Sequence, residues 1–351
     1  MLELFSGIGG MRCGITKAAA ESGDVTHVTF KAVDLNNFCN DIYSSSFSDF
    51  PQCLDISSIT KEWLLKTDAD IWTMSPPCQP YTRQGGMRGS FDDRAKPLHH
   101  LIRVMRLMKG SKLPKLIIVE NVKNFEVSDS FYELKTTLEY LQYSLVGYFL
   151  NPLYMGFPNS RLRLFIVATL RGNDATPFKI FTNDPHMQSF EYLDTTQAQR
   201  RIANFLCENH SERIQAKLMI PESLLSKRAA MCFDVVAPRS MQCLCFTRAY
   251  TKYVNGTGSV LLESEELAES FDEMDRPKFS LDSMTELSGS LRYFCPIEAA
   301  RLNGFCVNDD NELGESLKLP HGCEGGAQLY RAVGNTVNPE IVAFLVKRHW
   351  P

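Results

Sequence analysis

The run Ser75-Pro76-Pro77-Cys78-Gln79-Pro80 places a thiol directly after the apolar stretch Asp70-Ile71-Trp72-Thr73-Met74. The stretch reads as a buried strand, and the paired prolines stop it and fix the backbone that follows. Open α/β sheets bind their ligands at the carboxyl ends of strands, where this thiol would stand. A thiolate there can add to an electrophilic carbon and later leave it. A lone free cysteine is more often a small core hydrophobe, so the case for Cys78 rests on its company. Glu120-Asn121-Val122 ends a second apolar run, Leu116-Ile117-Ile118-Val119. Glu120 has two readings: a carboxylate favoured at a helix N-terminus, or a desolvated acid that donates a hydrogen bond near neutral pH. Asn159-Ser160-Arg161-Leu162-Arg163 sets two arginines on one side of an extended segment.

A glycine turn, Phe5-Ser6-Gly7-Ile8-Gly9-Gly10, lies between a first β-type run and a helical pattern. Its glycines allow a tight turn and a close approach of backbone to ligand. Asp34 ends the next apolar run, where a carboxylate accepts hydrogen bonds from the ribose of an adenosine-containing cofactor. This pair alone does not separate a nicotinamide cofactor from S-adenosylmethionine. The glycine spacing falls short of the full dinucleotide fingerprint, with Cys13 near its third position, which favours a cofactor without a pyrophosphate. Gly334-Asn335-Thr336-Val337 forms a turn before the last helical pattern.

The elements that must hold these groups alternate. Strands are expected at Leu2–Phe5, His27–Val33, Asp70–Met74, Leu116–Val119, Tyr143–Leu150 and Leu164–Thr169. Helices are expected at Met11–Ser22, from Asp34 to about Ser46, at Lys61–Lys66, Pro97–Lys109, Phe131–Leu141 and Pro339–Lys347. Strands separated by helices of this length predict an α/β fold with a mostly parallel, doubly wound sheet. The alternation breaks near Arg171. The expected division is a catalytic domain over 1–185, completed by 327–351, and a smaller domain over 186–326, with an exposed loop at Asn308–Glu315.

The chain has 351 residues, 44% hydrophobic and 22% charged, enough for a full core and ordinary for a globular protein. No apolar stretch is long enough to span a bilayer, and no basic-then-apolar signal opens the chain. The 11 cysteines are scattered, with no C-x-x-C pair, which points to reduced thiols in the cytoplasm or also the nucleus. The closest pair, Cys243-Leu244-Cys245, lacks nearby histidines, and no metal is expected. A net charge of −4 excludes a strongly basic nucleic-acid binder. Polyanion contact would need local clusters: Arg83, Arg88, Arg94 and Lys96; Arg161 and Arg163; or Arg239, Arg248 and Lys252.

Taken in order, the glycine turn, Asp34, Pro-Pro-Cys78, Glu120-Asn121-Val122, Arg161-x-Arg163 and Gly334-Asn335 resemble the cytosine-5 methyltransferase family. Cys245-Phe246-Thr247-Arg248-Ala249-Tyr250, followed by Gly256-Thr257-Gly258-Ser259, is similar to the Cys-Phe-Thr-x-x-Tyr signature of its type 2 branch, the tRNA-aspartate enzymes. The sequence departs from the family in few places. Only Met1–Leu4 precede Phe5, Thr336 stands where Ser is common, and Ala249 where Gly is common.

The resemblance implies a Rossmann-like methyltransferase sheet with a target-recognition domain. It implies S-adenosylmethionine as cofactor, S-adenosylhomocysteine as product and no metal. The substrate would be tRNA(Asp) at an anticodon-loop cytosine, cytosine 38, with at most weak DNA binding, no membrane and a monomeric chain. The alternatives are a DNA cytosine-5 methyltransferase and a non-catalytic nucleic-acid binder with this fold. Cys78 would attack C6, Glu120 would hold the ring, and Arg163 with Arg161 would stabilise the bound base. Phe5, Gly7, Ile8, Gly9, Gly10, Asp34, Asp55, Ile56, Ser57, Ser75 and Asn335 would bind the cofactor. Pro77, Gln79, Arg83, Asn121, Cys245, Phe246, Thr247 and Tyr250 would meet the substrate.

Overall fold

The computed structural model describes residues 1–23, 28–82, 89–170, 177–208, 210–268, 279–308, 316–319 and 326–350. At its centre is a sheet built from β1 (Leu2–Leu4), β2 (Lys31–Val33), β3 (Ile71–Met74), β4 (Leu116–Asn121) and β5 (Tyr143–Leu150). After the two-residue β6 (Asn159–Ser160), which lies outside it, the sheet is completed by β7 (Arg163–Leu170), β8 (Lys179–Thr182) and β9 (Glu191–Tyr192). The spatial order is β2-β1-β3-β4-β7-β5-β8-β9. The strand β1 is followed in sequence by a neighbour on one side and then by a neighbour on the other. Their carboxyl ends therefore open a crevice at the point where the winding reverses.

The sheet is mixed. β7 runs antiparallel to both β4 and β5, while the other pairs are parallel. Between β5 and β7 the chain contains only a 3-10 turn, Pro152–Met155, and β6. With no crossover helix there, the chain turns back and β7 runs antiparallel to β5. The expected strand at His27–Val33 is shorter, with His27 outside the described residues. β8 and β9 were not expected, and β9 still joins the sheet beyond residue 185.

Both faces are covered, as the continuous apolar strands require. Trp72, Met74, Ile117 and Val119 pack with Leu101, Ile102, Leu134 and Leu138 of helices Lys96–Arg106 and Asp129–Tyr140. Ile71, Leu116 and Ile118 point the opposite way, against Ile15 and Ala18 of helix Gly10–Ser22 and Val342 and Leu345 of helix Pro339–His349. Those two helices meet at Gly14, where a Cβ would collide with Val342 and lie 2.6 Å from the Pro339 carbonyl oxygen. Beyond the main sheet, β10 (Asp234–Val236), β11 (Cys243–Leu244), β12 (Ser259–Leu262) and β13 (Leu291–Tyr293) follow. β10, β12 and β13 form a small sheet, and β11 pairs with β6. One apolar core, containing Ile8, Tyr43, Phe246, Phe294 and Leu302, joins the first residues of the chain to this later region.

Glu3, in the middle of β1, is 1% exposed. Burial pushes its carboxyl up to about 8, although the Tyr43 hydroxyl and the Arg12 N–H both donate to it. Below pH 4.5 the folded and unfolded chains both hold this proton. Between there and about 8 only the folded chain retains it, so stability falls as pH rises through that window, by at most ~1.4 kcal/mol per pH unit. Glu3→Gln is expected to remove this decline. Urea unfolding at pH 5 and pH 8 checks it: an equal decline in both proteins would contradict a neutral Glu3.

Candidate active site

The crevice is a cavity of ≈330 Å³ at the carboxyl ends of β1, β2, β3 and β4. Its wall is built in three layers. The turn after β1 contributes Phe5 to Ile8 and Gly10, Asp34 to Asn36 follow β2, and Ser75 to Gln79 follow β3. Phe5 has a φ of 58° and Gly7 one of 53°, so the chain doubles back between strand and helix. Asp34 fastens this turn: its carboxylate accepts from the Gly7 N–H at 2.8 Å and from the Asn36 N–H at 2.8 Å. Ser6 lines the same wall, and its buried hydroxyl has no hydrogen-bond partner. Leu54, Asp55, Ile56, Asn335, Thr336 and Val337 close the remainder.

At the other end of the cavity stand Cys78, Glu120 and Arg163. Cys78 begins a 3-10 turn, Gln79–Tyr81, and accepts the Tyr81 N–H on its carbonyl. Asn121 holds this loop, donating from Nδ2 to the Pro76 carbonyl at 3.3 Å. Glu120, 7% exposed near the end of β4 and in register with Phe165, meets Arg163 at the start of β7, with Nε 3.3 Å from Oε1. Burial raises the Glu120 carboxyl, and Arg163 and then Arg161 pull it back. Burial likewise raises the Cys78 thiol. Arg163 and Arg161 oppose the shift, and the Glu120 charge adds to it. A protonated thiol and a carboxyl with raised proton affinity thus share one guanidinium.

The two arginines expected on one side of a strand divide their work. Arg161 is 4% exposed, and its guanidinium donates to Cys245 Sγ at 3.0 Å, Phe246 O at 3.5 Å, Gly334 O at 3.2 Å and Thr336 O at 2.6 Å. It lines the cavity wall, yet these four bonds all go to the protein itself, and its buried Nε has no hydrogen-bond partner. Arg163 Nη2 lies 3.9 Å from the same sulfur. Burial pushes the Cys245 thiol up, but the two guanidiniums more than offset this and hold it below its ordinary range.

Several expected contacts do not reach the cavity. Gly9 turns with φ 86° beneath it, where a Cβ would collide with Phe47. Ser57 is exposed, its N–H capped by Asp55. Asn121 is buried against Pro76 and meets no open surface. Phe246 and Tyr250 are core residues with rings 5.0 Å apart, and the Tyr250 hydroxyl donates to Ser259 O and accepts from Phe294 N–H. Cys245 meets the Arg161 guanidinium rather than the cavity, and Thr247, whose backbone packs on Gly334, does not line it either. Arg83 lies outside the described residues. Ser6, Leu35, Asn36 and Leu54 were missed, although Ser6 sits inside the glycine turn and Asn36 two residues after Asp34.

Residues 1–350 match the family described as C-5 cytosine-specific DNA methylase. The chain is 32% identical to a protein of Schizosaccharomyces pombe named tRNA (cytosine(38)-C(5))-methyltransferase, covering 99% of this chain and 95% of that one. It is 30% identical to a human protein of the same name, covering 99% and 98%. Its fold is similar to that of the Entamoeba histolytica methyltransferase EhMeth, with a TM-score of 0.77 and 30% identity over 99% of this chain and 97% of that one.

The geometry makes Cys78 a thiol whose reactivity is limited by deprotonation and assisted by Arg163. Its alkylation by iodoacetamide is expected to accelerate as pH rises from 7 to 9, by up to about tenfold per unit. Arg163→Ala, which removes the cation, is expected to slow alkylation at pH 8. Mass spectrometry of the Cys78 peptide reads both; a rate independent of pH would mean a resting thiolate.

Proposed function

Because this chain belongs to the C-5 cytosine-specific DNA methylase family, in the branch of full-length relatives at about 30% identity, it is a cytosine-5 methyltransferase, and we propose that it acts on tRNA. The proposed target is cytosine 38 in the anticodon loop, with tRNA(Asp) as the substrate. The observation that carries the chemistry is the meeting of Cys78, Glu120 and Arg163 at one end of a cavity whose other end is the glycine turn. The choice of tRNA rests on the names of the S. pombe and human relatives.

The family implies S-adenosylmethionine, and the residues present fit it. Ser6 offers an unpartnered buried hydroxyl to the cavity, and Asp34, Asp55 and Asn335 supply polar groups around apolar Phe5, Ile8 and Ile56. When bound there, S-adenosylmethionine supplies an electrophilic methyl group. In the proposed reaction Cys78 Sγ gives up its proton and adds to C6 of the cytosine, and the electron pair of the C5–C6 double bond becomes available at C5. Glu120, whose proton affinity burial raises, donates a hydrogen bond to N3 of the ring when it carries its proton and so stabilises the charge that develops. Arg163 stays beside the sulfur adduct and the carboxyl. After methylation at C5, loss of the C5 proton returns an electron pair to the ring, and Cys78 leaves from C6 as a thiolate. A stacked anticodon-loop base must swing out to reach the thiol, at a cost of about a few kcal/mol. Residues 186–326 would supply the face that receives the RNA, with 1–185 and 327–351 carrying the chemistry.

Transfer of labelled methyl groups into a panel of tRNA transcripts and into duplex DNA, with mapping of the modified base, tests this reading. Methylation confined to cytosine 38 of tRNA is expected. A preference for DNA, the nucleic acid named in the family's description, would sink the tRNA assignment. Cys78→Ala is expected to abolish turnover while S-adenosylhomocysteine still raises the melting temperature. Glu120→Gln is expected to slow methylation by about 10²-fold or more; an unchanged rate would leave Glu120 a strand-end carboxylate without a part in the chemistry.

A further inference from the structure

Away from the cavity, four metal-ligating side chains converge: Cys207, His210, Cys295 and Glu298. Their donor atoms all lie within 4.8 Å of one another. They come from two pairs with the same spacing, Cys207-x-x-His210 and Cys295-x-x-Glu298. The first pair lies between the 3-10 turn Ile202–Phe205 and helix Glu212–Leu218. The second caps helix Pro296–Leu302, whose first turn it holds through reciprocal bonds. Cys295 and Glu298 are 2% and 0% exposed, and the His210 side chain only 10%. None of the four lines the cavity around Cys78.

We propose that these residues form a structural zinc site that fastens the Cys207–His210 segment to the start of helix Pro296–Leu302. The distances carry the assignment. Two sulfurs bonded tetrahedrally to zinc at about 2.3 Å stand ~3.8 Å apart, and a nitrogen and an oxygen at about 2.0–2.1 Å stand ~3.3 Å apart. Cys207 Sγ is 3.8 Å from Cys295 Sγ, and His210 Nε2 is 3.4 Å from Glu298 Oε1. Two opposite edges of a tetrahedron therefore already have these lengths, and the other four donor–donor distances lie within 4.8 Å. Two thiolates with an imidazole select zinc over the hard cations magnesium and calcium. The outer layer is also built. Arg292 donates to both oxygens of Glu298 at 2.7 and 2.9 Å, the Cys207 N–H donates to Oε1 at 3.1 Å, and Arg301 Nη1 lies 3.9 Å from Cys207 Sγ. Those two guanidiniums offset the negative charge that two thiolates and a carboxylate leave around a divalent ion. With four protein donors the site has no open position, as a structural site requires. On binding, the ion replaces the thiol protons and the proton between His210 and Glu298, which pass to solvent.

The test uses the untagged full-length chain, purified from zinc-supplemented medium and passed through gel filtration with a weak chelator. Elemental analysis is expected to find one zinc per chain. Cobalt(II) in its place is expected to give the intense visible bands of a tetrahedral site and a thiolate charge-transfer band. His210→Ala and Cys207→Ser are each expected to weaken zinc binding by about 100-fold or more, since even outer partners account for 10–100-fold. Cys232→Ser, at an exposed cysteine outside the cluster, should leave it unchanged. Should a variant fail to fold, alkylation mapping of the unaltered chain decides: Cys207 and Cys295 must be protected by zinc and must react once it is stripped. No retained zinc, zinc retained equally in both variants, unprotected Cys207 and Cys295, or a Cys207–Cys295 disulfide in place of metal would each overturn the proposal.

Discussion

The site depends on one buried cation. Arg161 sits in a bend between β6 and β7, its backbone N–H held by Asn151 Oδ1 at 2.9 Å. Its guanidinium ties together segments that lie far apart in sequence: Cys245 and Phe246, Gly334 and Thr336. An unpaired charge at that depth would be strongly destabilising, so the surrounding acceptors are a condition of folding and not an embellishment. Each tie also sets part of the cavity. Two residues further on, Arg163 is brought onto Glu120. The Thr336 carbonyl is drawn inward beside Gly10, where a Cβ would meet the Thr336 hydroxyl at 2.7 Å. Gly334 packs so closely on the Thr247–Arg248 backbone that no side chain fits there. The wall expected to hold cofactor and the end expected to hold the base are therefore joined through Arg161.

Within that frame the electrostatics oppose one another by design of position. Desolvation drives both the Cys78 thiol and the Glu120 carboxyl toward their neutral forms, and Arg163 pulls both toward their charged forms. A thiol that is neutral at rest is less exposed to oxidation and stray alkylation. A neutral carboxyl can donate a hydrogen bond where a carboxylate could only accept one. In the proposed reaction the same guanidinium then serves whichever group carries charge at a given step, so it need not move. The cost is a first proton transfer that works against desolvation of the thiolate it produces.

The parts of this arrangement that were legible in the sequence are those fixed by short stretches. A strand stopped by Pro76 and Pro77 presents Cys78 at its carboxyl end, and the glycine turn with Asp34 follows from backbone sterics and one carboxylate. What could not be read depended on distance in the chain. The antiparallel β7 goes with a connection between Leu150 and Arg163 that holds no crossover helix, a gap whose length alone does not announce its direction. β8 and β9 are short and partly exposed, so their apolar pattern is weak. Arg161 and Arg163, alike in the sequence, differ because Arg161 is taken up by the carbonyls of Phe246, Gly334 and Thr336, whereas Arg163 meets Glu120. The pairing of Cys207-x-x-His210 with Cys295-x-x-Glu298 was invisible for the same reason, since each half is unremarkable without the other.

The Cys245–Tyr250 signature is held chiefly by packing and hydrogen bonds within the protein. Phe246 and Tyr250 sit one helical turn apart in spacing and pack edge to face. Gly258, at φ 148°, comes so close that a Cβ would lie 2.7 Å from the Tyr250 ring. The Tyr250 hydroxyl bridges Ser259 and Phe294, closing the loop on itself. That packing leaves Cys245 no freedom, and it stands between two guanidiniums with its thiol acidified by them. A serine there would keep a hydrogen bond but would be smaller and less polarisable than sulfur. An aspartate would bring a full charge, two hard oxygens and a larger desolvation cost. A thiol is polarisable, accepts from both guanidiniums and is acidified by them. The sulfur of the signature thus stands where Arg161 and Arg163 come together, a soft acceptor common to both.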